Sequence, residues 1–289
     1  MLADFIRYLE AERRYSPLTV RNYRHDIELF LAWLGISDTD SDLRRVTTED
    51  IREWIIFRNE EGRLSAASIN REISSLRSLF RWLLRTGVVS RDVAAPVASL
   101  KTSRRLPAFV PESRMSDIVS DCEQDSDDFT RERNSLIVLL FYACGLRLAE
   151  LVGIDRRDFS EDYTSLRIRG KGDKERRVYF DAKAKLHLQD YLRSRTDANP
   201  ALFVTLDAPF DRLKISGVEI RLRELGRELN LDKIHPHKFR RTMATRAIDK
   251  GMPIEQVQKI LGHSQIGTTM QYAIVNQNNV KTSHQKFIA

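Results

Sequence analysis

The sequence predicts a mainly α-helical protein of two domains, the second carrying a small antiparallel β-sheet. Three observations predict it. Apolar residues recur at spacings of three and four over most of the chain, the period of an amphipathic helix. A polar, basic stretch, SLKTSRRLPAF (99–109), interrupts that pattern and carries Pro107 near its end, as an interdomain linker would. TSLRIRGKGDKERRVYF (164–180) alternates with period two on both sides of GKGD, the signature of a β-hairpin. A chain of 289 residues accommodates two domains of roughly 100–200 residues each.

Residues 1–98 read as a compact helical domain. Leu2, Phe5, Ile6 and Leu9 fall at i, i+3, i+4 and i+7 and make one apolar face. Ser16 is placed to cap a second helix with Pro17 at its first position and Gly35 as its stop. Its core stripe is Val20, Tyr23, Ile27, Phe30, Leu31 and Leu34. Thr48 can cap a third helix, where Glu49 and Asp50 suit the positive end of the helix dipole. The fourth (65–87) would bury Ile69, Ile73, Leu76, Leu79, Phe80 and Leu83. Its other side carries Arg71, Ser75, Arg77, Ser78, Arg81 and Arg85, with no acid after Glu72 to pair them at i±4. A solvated face is one reading of that side. Arginines interspersed with serines also suit phosphate contacts, which makes Arg71, Ser75 and Arg77 candidates for DNA binding.

After the linker (99–109), residues 110–275 read as the second domain. Pro111 opens a helix, and residues 129–144 form a longer and strongly apolar one. The hairpin follows, then helices at 182–194, 216–229 and 237–250. MPIEQVQKILG (252–262) is a short helix with Pro253 at its start and Gly262 as its stop. Ser264 or Thr268 can cap the helix after it.

Composition narrows the function. Hydrophobic content of 42% and charged content of 31% describe a globular protein. The longest apolar run, SLIVLLFYACG (135–145), fits a buried helix and is too short for a bilayer. The start lacks a signal-peptide core. Two cysteines, Cys122 and Cys144, offer neither a disulfide framework nor a metal cluster, so a reducing cytoplasm is expected. A net charge of +7 favours a polyanionic partner, most simply nucleic acid, although many basic proteins bind none.

Six residues stand out as candidates for chemistry. Arg147 emerges at the end of the most apolar helix, where a charge needs an anion or water; Glu150, at i+3, can serve it structurally. Lys171 sits at the hairpin tip, in a context that is no Walker loop. His237 and Arg240 share one face of a helical first turn, which makes an anion site or simply a basic surface. His263 precedes Tyr272 by nine positions, which one helix would set on opposite faces. A break at 262–267 lets two helices fold back and brings both rings to one cleft.

Together Arg147, Lys171, His237, Arg240, His263 and Tyr272 include no carboxylate pair for Mg²⁺. The set suits metal-free phosphoryl transfer. Two guanidiniums can clamp the non-bridging oxygens of a phosphodiester, an activated tyrosine can attack, and a lysine can protonate the leaving oxygen.

At these residues the sequence resembles a tyrosine recombinase of the Xer/phage-integrase family, and the Xer type most. ACGLRLAEL matches the family's first-arginine box, RIRGKGDKERRV its lysine turn, HPHKFRRTMAT its His-x-x-Arg box and LGHSQIGTTMQYA its His-to-Tyr box. SPLTVRNYRHDIELFLAWL and SINREISSLRSLFRWLL resemble its helical, SAM-like core-binding domain. The resemblance implies a DNA breaking-rejoining fold in which Arg147 and Arg240 bind phosphate and Lys171 is the general acid. By the same resemblance His237 serves in acid/base chemistry, His263 positions the phosphate, and Tyr272 forms a 3′-phosphotyrosyl link.

No metal, ATP or other cofactor is then required. The implied partner is a double-stranded DNA recombination site, bound by a homotetramer or by a heterotetramer with a second recombinase. A septal DNA translocase is a candidate partner and a membrane is not. The protein would be cytoplasmic and associated with the nucleoid, with a role in chromosome partition at cell division, or else in the integration of a mobile element. A type IB topoisomerase-like enzyme would use nearly the same residues, and a non-catalytic DNA-binding protein is the remaining alternative. The tail, residues 276–289, is expected to dock on a neighbouring subunit. One departure is visible: the family commonly has Arg-His-Thr where this chain has Arg240-Arg241-Thr242, and Arg241 is read as a structural or DNA-contact change.

Overall fold

The computed structural model describes residues 1–62, 64–102, 110–125, 127–170, 175–231, 234–272 and 284–285. The chain divides into two compact units, Met1–Arg105 and Leu106–Ala289. No helix among the described residues is long and apolar enough to cross a membrane.

Among the described residues the first unit has five helices: α1 (Leu2–Ala11), α2 (Pro17–Leu34), α3 (Asp40–Arg45), α4 (Thr48–Glu60) and α5 (Ala66–Arg85). Ser16 caps α2 through its hydroxyl, and Gly35 ends it in the left-handed conformation. The expected stripe of α5, Ile69, Ile73, Leu76, Leu79, Phe80 and Leu83, is buried throughout. It packs with Phe5, Leu9, Ile27, Phe30, Ile51 and Trp54. Such fully buried side chains each contribute roughly 1.5–3 kcal/mol.

Three details differ from expectation. The short helix α3 has no counterpart in the apolar periodicity, since Leu43 is its one buried residue. The cap of α4 is Thr47 rather than Thr48: Thr47 and Asp50 form a reciprocal capping box, while Thr48 donates its hydroxyl to Val93 O at 2.9 Å.

The polar side of α5 is also less free than its sequence suggests. Ser75 is fully buried, and its hydroxyl donates to Glu72 O at 2.7 Å. Arg71 pairs with the buried Asp26 of α2, and Arg77 donates to Val97 O and to Ser99 Oγ. Their partners come from other elements, which spacing within one helix cannot reveal. Residues 99 and 100 of the expected linker lie along α5, where Asn70 exchanges two hydrogen bonds with the backbone of Leu100. Residues 103–109 fall outside the described residues.

The second unit contains α6 (Glu112–Cys122), α7 (Asp128–Cys144), α8 (Leu148–Val152), the strands β1 (Ser165–Arg169) and β2 (Glu175–Tyr179), α9 (Ala182–Ser194), α10 (Ile215–Glu228), α11 (Pro236–Asp249), α12 (Ile254–Leu261) and α13 (Ile266–Met270). Helix α7 is the centre of this unit. Residues Arg133 to Phe141 are all buried, so the helix is enclosed on every side. Phe141 of α7 stacks on Phe239 of α11 at 6.0 Å between ring centroids, which fixes α11 against it.

The hairpin is antiparallel, with Ile168 opposite Arg176 and Arg169 opposite Glu175. Leu166, Ile168 and Val178 turn to the core. The break after α12 falls where expected, at a left-handed Gly262. The next helix starts at Ile266 behind Gln265, and neither Ser264 nor Thr268 caps it.

Candidate active site

Five of the six candidates, Arg147, His237, Arg240, His263 and Tyr272, gather where the C-terminus of α7, the N-terminus of α11 and the C-terminus of α12 meet. Helix α7 stops at Gly145 with φ 59°. The left-handed φ favours glycine at 145, and a Cβ there would also displace the end of the Met243 side chain and lie 3.1 Å from Leu261 Cδ2. Arg147 then caps α8. Its backbone N–H donates to Glu150 Oε2 at 2.8 Å and its Nη1 to Oε1 at 2.7 Å. The structural reading of Glu150 is therefore met, yet the Arg147 side chain remains 39% exposed.

Arg240 lies in the first turns of α11, which Pro236 opens. It is only 3% exposed. Its Nη1 donates to Gly145 O and its Nη2 to Leu261 O, each at 2.5 Å. Each of those nitrogens carries a second N–H, so the guanidinium keeps donors for an anion. Burial and the neighbouring Arg147 charge lower its pKa to about 10, which leaves it protonated at neutral pH. His237 stands at the exposed edge of the same turn. Desolvation, then the charges of Arg240, Arg241 and Arg147, lower its pKa and so favour the neutral imidazole.

His263 and Tyr272 meet across the break. Their rings stack at 6.1 Å between centroids, with planes 26° apart. His263 Nδ1 and the Thr269 hydroxyl lie 2.9 Å apart in a hydrogen bond. Tyr272 is 8% exposed and packs with Met243, Ala244, Val257 and Leu261.

Sequence reasoning missed Arg176. It extends from β2 with its side chain only 11% exposed and donates with both Nη atoms to Glu150, at 2.9 and 2.8 Å. A signal was present: Arg176 is in phase with Val178, on the core face of the strand, and a charge there requires a buried anion. Glu150 is that anion. Burial would raise its carboxyl, but hydrogen bonds from Arg176 and from the Arg147 backbone, the Arg176 charge and the Arg147 side-chain hydrogen bond hold it below the ordinary value.

All three arginines, Arg147, Arg176 and Arg240, also reach carbonyls at the end of α12. Arg176 Nε donates to Ile260 O at 2.6 Å, Arg240 Nη2 to Leu261 O at 2.5 Å and Arg147 Nη2 to Gly262 O at 3.4 Å. These successive carbonyls end α12, where the helix leaves acceptors unfilled and carries its negative dipole end. Three guanidiniums against the single Glu150 carboxylate leave an excess positive charge, the electrostatics of an anion site. Arg147, Arg176 and His263 line a cleft of about 1160 Å³.

The same charges act on His263. Burial first, then Arg240, Arg147 and Arg176, push its pKa down to about 4 from 6.5. The unfolded chain therefore takes up a proton at this side chain before the folded one does. Stability is intact above pH 6.5 and falls as pH drops through the window from 6.5 to about 4. Replacing His263 by Gln is expected to flatten that part of the stability–pH curve, read as denaturation midpoints across the window. Parallel curves for variant and wild type would refute this origin.

Of the other expected residues, Arg241 is half-buried on α11. Lys171 lies outside the described residues; the strands on either side of its turn are paired as expected. Arg71, Ser75 and Arg77 belong to the first unit. That unit has a basic and aromatic pocket of about 270 Å³ lined by the expected Arg77 and by Tyr8, Arg13, Arg81, Trp82 and Arg85 among others. The guanidinium of Arg85 lies 5.0 Å from the Tyr8 ring centre.

Comparison with known proteins agrees with this geometry. Residues 108–279 match the phage integrase family and residues 2–87 the N-terminal SAM-like domain of phage integrases. The chain is 31% identical to the tyrosine recombinase XerC of Leptospira interrogans over 98% of this chain and 91% of that protein. It is 33% identical to the XerC of Corynebacterium efficiens, over 96% of this chain and 88% of that protein. A crystal structure of the XerH site-specific recombinase bound to a palindromic difH substrate, a post-cleavage complex, shares the fold. It aligns with a TM-score of 0.77 at 17% identity, covering 99% of this chain and 84% of that one. Helices, hairpin and gathered arginines, with these matches over nearly the whole length, show that the chain belongs to the phage integrase family of tyrosine recombinases.

Proposed function

We propose that this chain is a site-specific DNA recombinase that cuts and rejoins strands through a phosphotyrosine at Tyr272. The observation that carries the reading is the placement of the Tyr272 ring on His263, beside a cluster of arginines held to one carboxylate and one helix end. The Tyr272 oxygen attacks phosphorus, and the bond to the 5′-oxygen breaks. The phenolic proton passes to a neutral imidazole, with His237 as the base, and Lys171 protonates the departing 5′-oxygen. Arg147 and Arg240 hold the non-bridging oxygens and His263 positions them. A 5′-hydroxyl from a partner strand then attacks the 3′-phosphotyrosine, so bond energy is conserved and a Holliday junction forms.

In the first unit, Arg13, Arg81 and Arg85 are better placed for phosphate than the buried Ser75 or the paired Arg71. The relatives' names support an Xer-type recombinase; the role we propose for it is the resolution of chromosome dimers by a tetramer of this chain, alone or with a second recombinase. In that role the segment 276–289 docks on a neighbouring subunit. Integration of a mobile element by the same chemistry is the alternative.

Strand exchange tests the reading. A binding sequence is first selected from a random DNA library and built into two duplexes of different length. Incubation with the protein is expected to yield recombinant duplexes of the two crossed lengths. Supercoil relaxation without crossed products would instead assign a topoisomerase.

A further inference from the structure

We propose that Arg176, which lies outside the expected catalytic set, is a positioning residue for strand cleavage. It sets the Arg147 guanidinium through Glu150 and the His263 turn through the end of α12. The inference rests on the recombinase reading above and adds a residue to it.

Each Arg176 nitrogen has a protein acceptor: Nη1 and Nη2 reach the two Glu150 oxygens, and Nε reaches Ile260 O at 2.6 Å. With its side chain 11% exposed, against 39% for Arg147, and each nitrogen already on a protein acceptor, it is placed to hold its neighbours. Glu150 in turn takes the backbone N–H and the Nη1 of Arg147. Without Arg176, the carboxylate has no reason to keep one oxygen for each contact, and Arg147 is free to rotate onto both. Ile260 is three residues before His263, and its carbonyl anchors the α12 end whose next two carbonyls hold Arg240 and Arg147. Space is closed as well: a Cβ on Gly262 would lie 3.2 Å from Arg176 Cδ and 3.3 Å from Nη1. The Arg176 side chain thus packs directly on the Gly262 backbone. A lysine could reach one of these acceptors but not form the planar fork.

The test uses the full chain and a nicked duplex of the selected sequence, which traps the covalent adduct. Arg176→Gln and Arg176→Lys are expected to lower the single-turnover cleavage rate about 10–100-fold, the usual loss for an outer-shell partner. DNA affinity, measured separately, is expected to change less than about threefold, because in this assignment Arg176 acts through Glu150 and the end of α12. The Lys variant keeps the pocket's charge and guards against a Gln variant that fails to fold; thermal melts identify that case. A second substrate carries sulfur in place of the 5′-leaving oxygen and so needs no proton donor. The variants' loss is expected to be equal on both substrates, since the defect lies in holding the phosphate. Glu150→Gln combined with Arg176→Gln is expected to be no slower than either alone, as groups acting in one chain are non-additive.

Cleavage by folded Arg176 variants at the wild-type rate overturns the inference and leaves the recombinase reading intact. So does a loss that the sulfur substrate restores completely, which would place Arg176 with the general acid. A wild type that forms no adduct removes the underlying reading and the inference with it.

Discussion

Tyr272→Phe is expected to abolish formation of the covalent DNA adduct, by at least on the order of 10³-fold, while leaving the fold and DNA affinity unchanged. The phenol oxygen is the only atom the substitution removes. The ring packs against Met243, Ala244, Val257 and Leu261 and stacks on His263, contacts that phenylalanine retains. A lost hydroxyl costs at most about 1 kcal/mol of stability. Against a barrier effect of several kcal/mol, that cost is small, so loss of adduct with an unshifted thermal melt separates chemistry from folding. The measurement is denaturing gel mobility of protein incubated with the nicked duplex. A Phe variant that still forms an adduct would move the nucleophile to another residue and end the assignment.

Much of this arrangement is legible in the sequence because local signals carry it. The α5 stripe, the enclosed α7 and the break at Gly262 each follow from periodicity or from a stop residue. The nine-residue separation of His263 and Tyr272 is itself a signal, since only a break reconciles it with a shared site. What sequence does not show are contacts between distant segments. Arg71 has no acid at i±3 or i±4 within its helix and is paired by Asp26, 45 residues away. Ser75 reads as polar surface, yet it lies at i+3 from the buried Glu72 and is covered with it. Thr47 and Thr48 are both good caps, and the reciprocal bond with Asp50 decides between them.

Arg176 marks the boundary between the two kinds of information. Its phase on β2 predicts that it faces inward, but the acceptors that make this tolerable are 26 and 84 residues away. The same holds for the α12 carbonyls. A stop at Gly262 is readable, whereas the convergence of three arginines on the residues before it is a property of the folded unit alone.

Glu150 gives the largest expected effect on stability. Its carboxylate is 5% exposed and accepts from Arg147 N, Arg147 Nη1 and both Arg176 Nη atoms. Glu150→Ala leaves the guanidiniums of Arg147 and Arg176 facing each other and Arg240 with no anion between them. Removing one partner of a buried ion pair costs about 3–5 kcal/mol, a large share of the roughly 5–15 kcal/mol that holds a typical domain folded. Glu150→Gln keeps the shape and one acceptor oxygen and is expected to lose less.

The loss should also be conditional in two ways. Because the folded carboxyl lies below its unfolded value of 4.5, its contribution is present above pH 4.5 and disappears as pH falls through the folded pKa. The gap between wild type and Glu150→Gln is then expected to close on acidification. Sulfate, moreover, can take the place of the lost carboxylate among the arginines. At about 100 times its dissociation constant a ligand restores about 2.7 kcal/mol. Thermal melts in sulfate and in chloride of equal ionic strength are therefore expected to differ more for Glu150→Gln than for wild type. An identical sulfate response in the two proteins would mean that Glu150 does not hold the arginines' charge in balance.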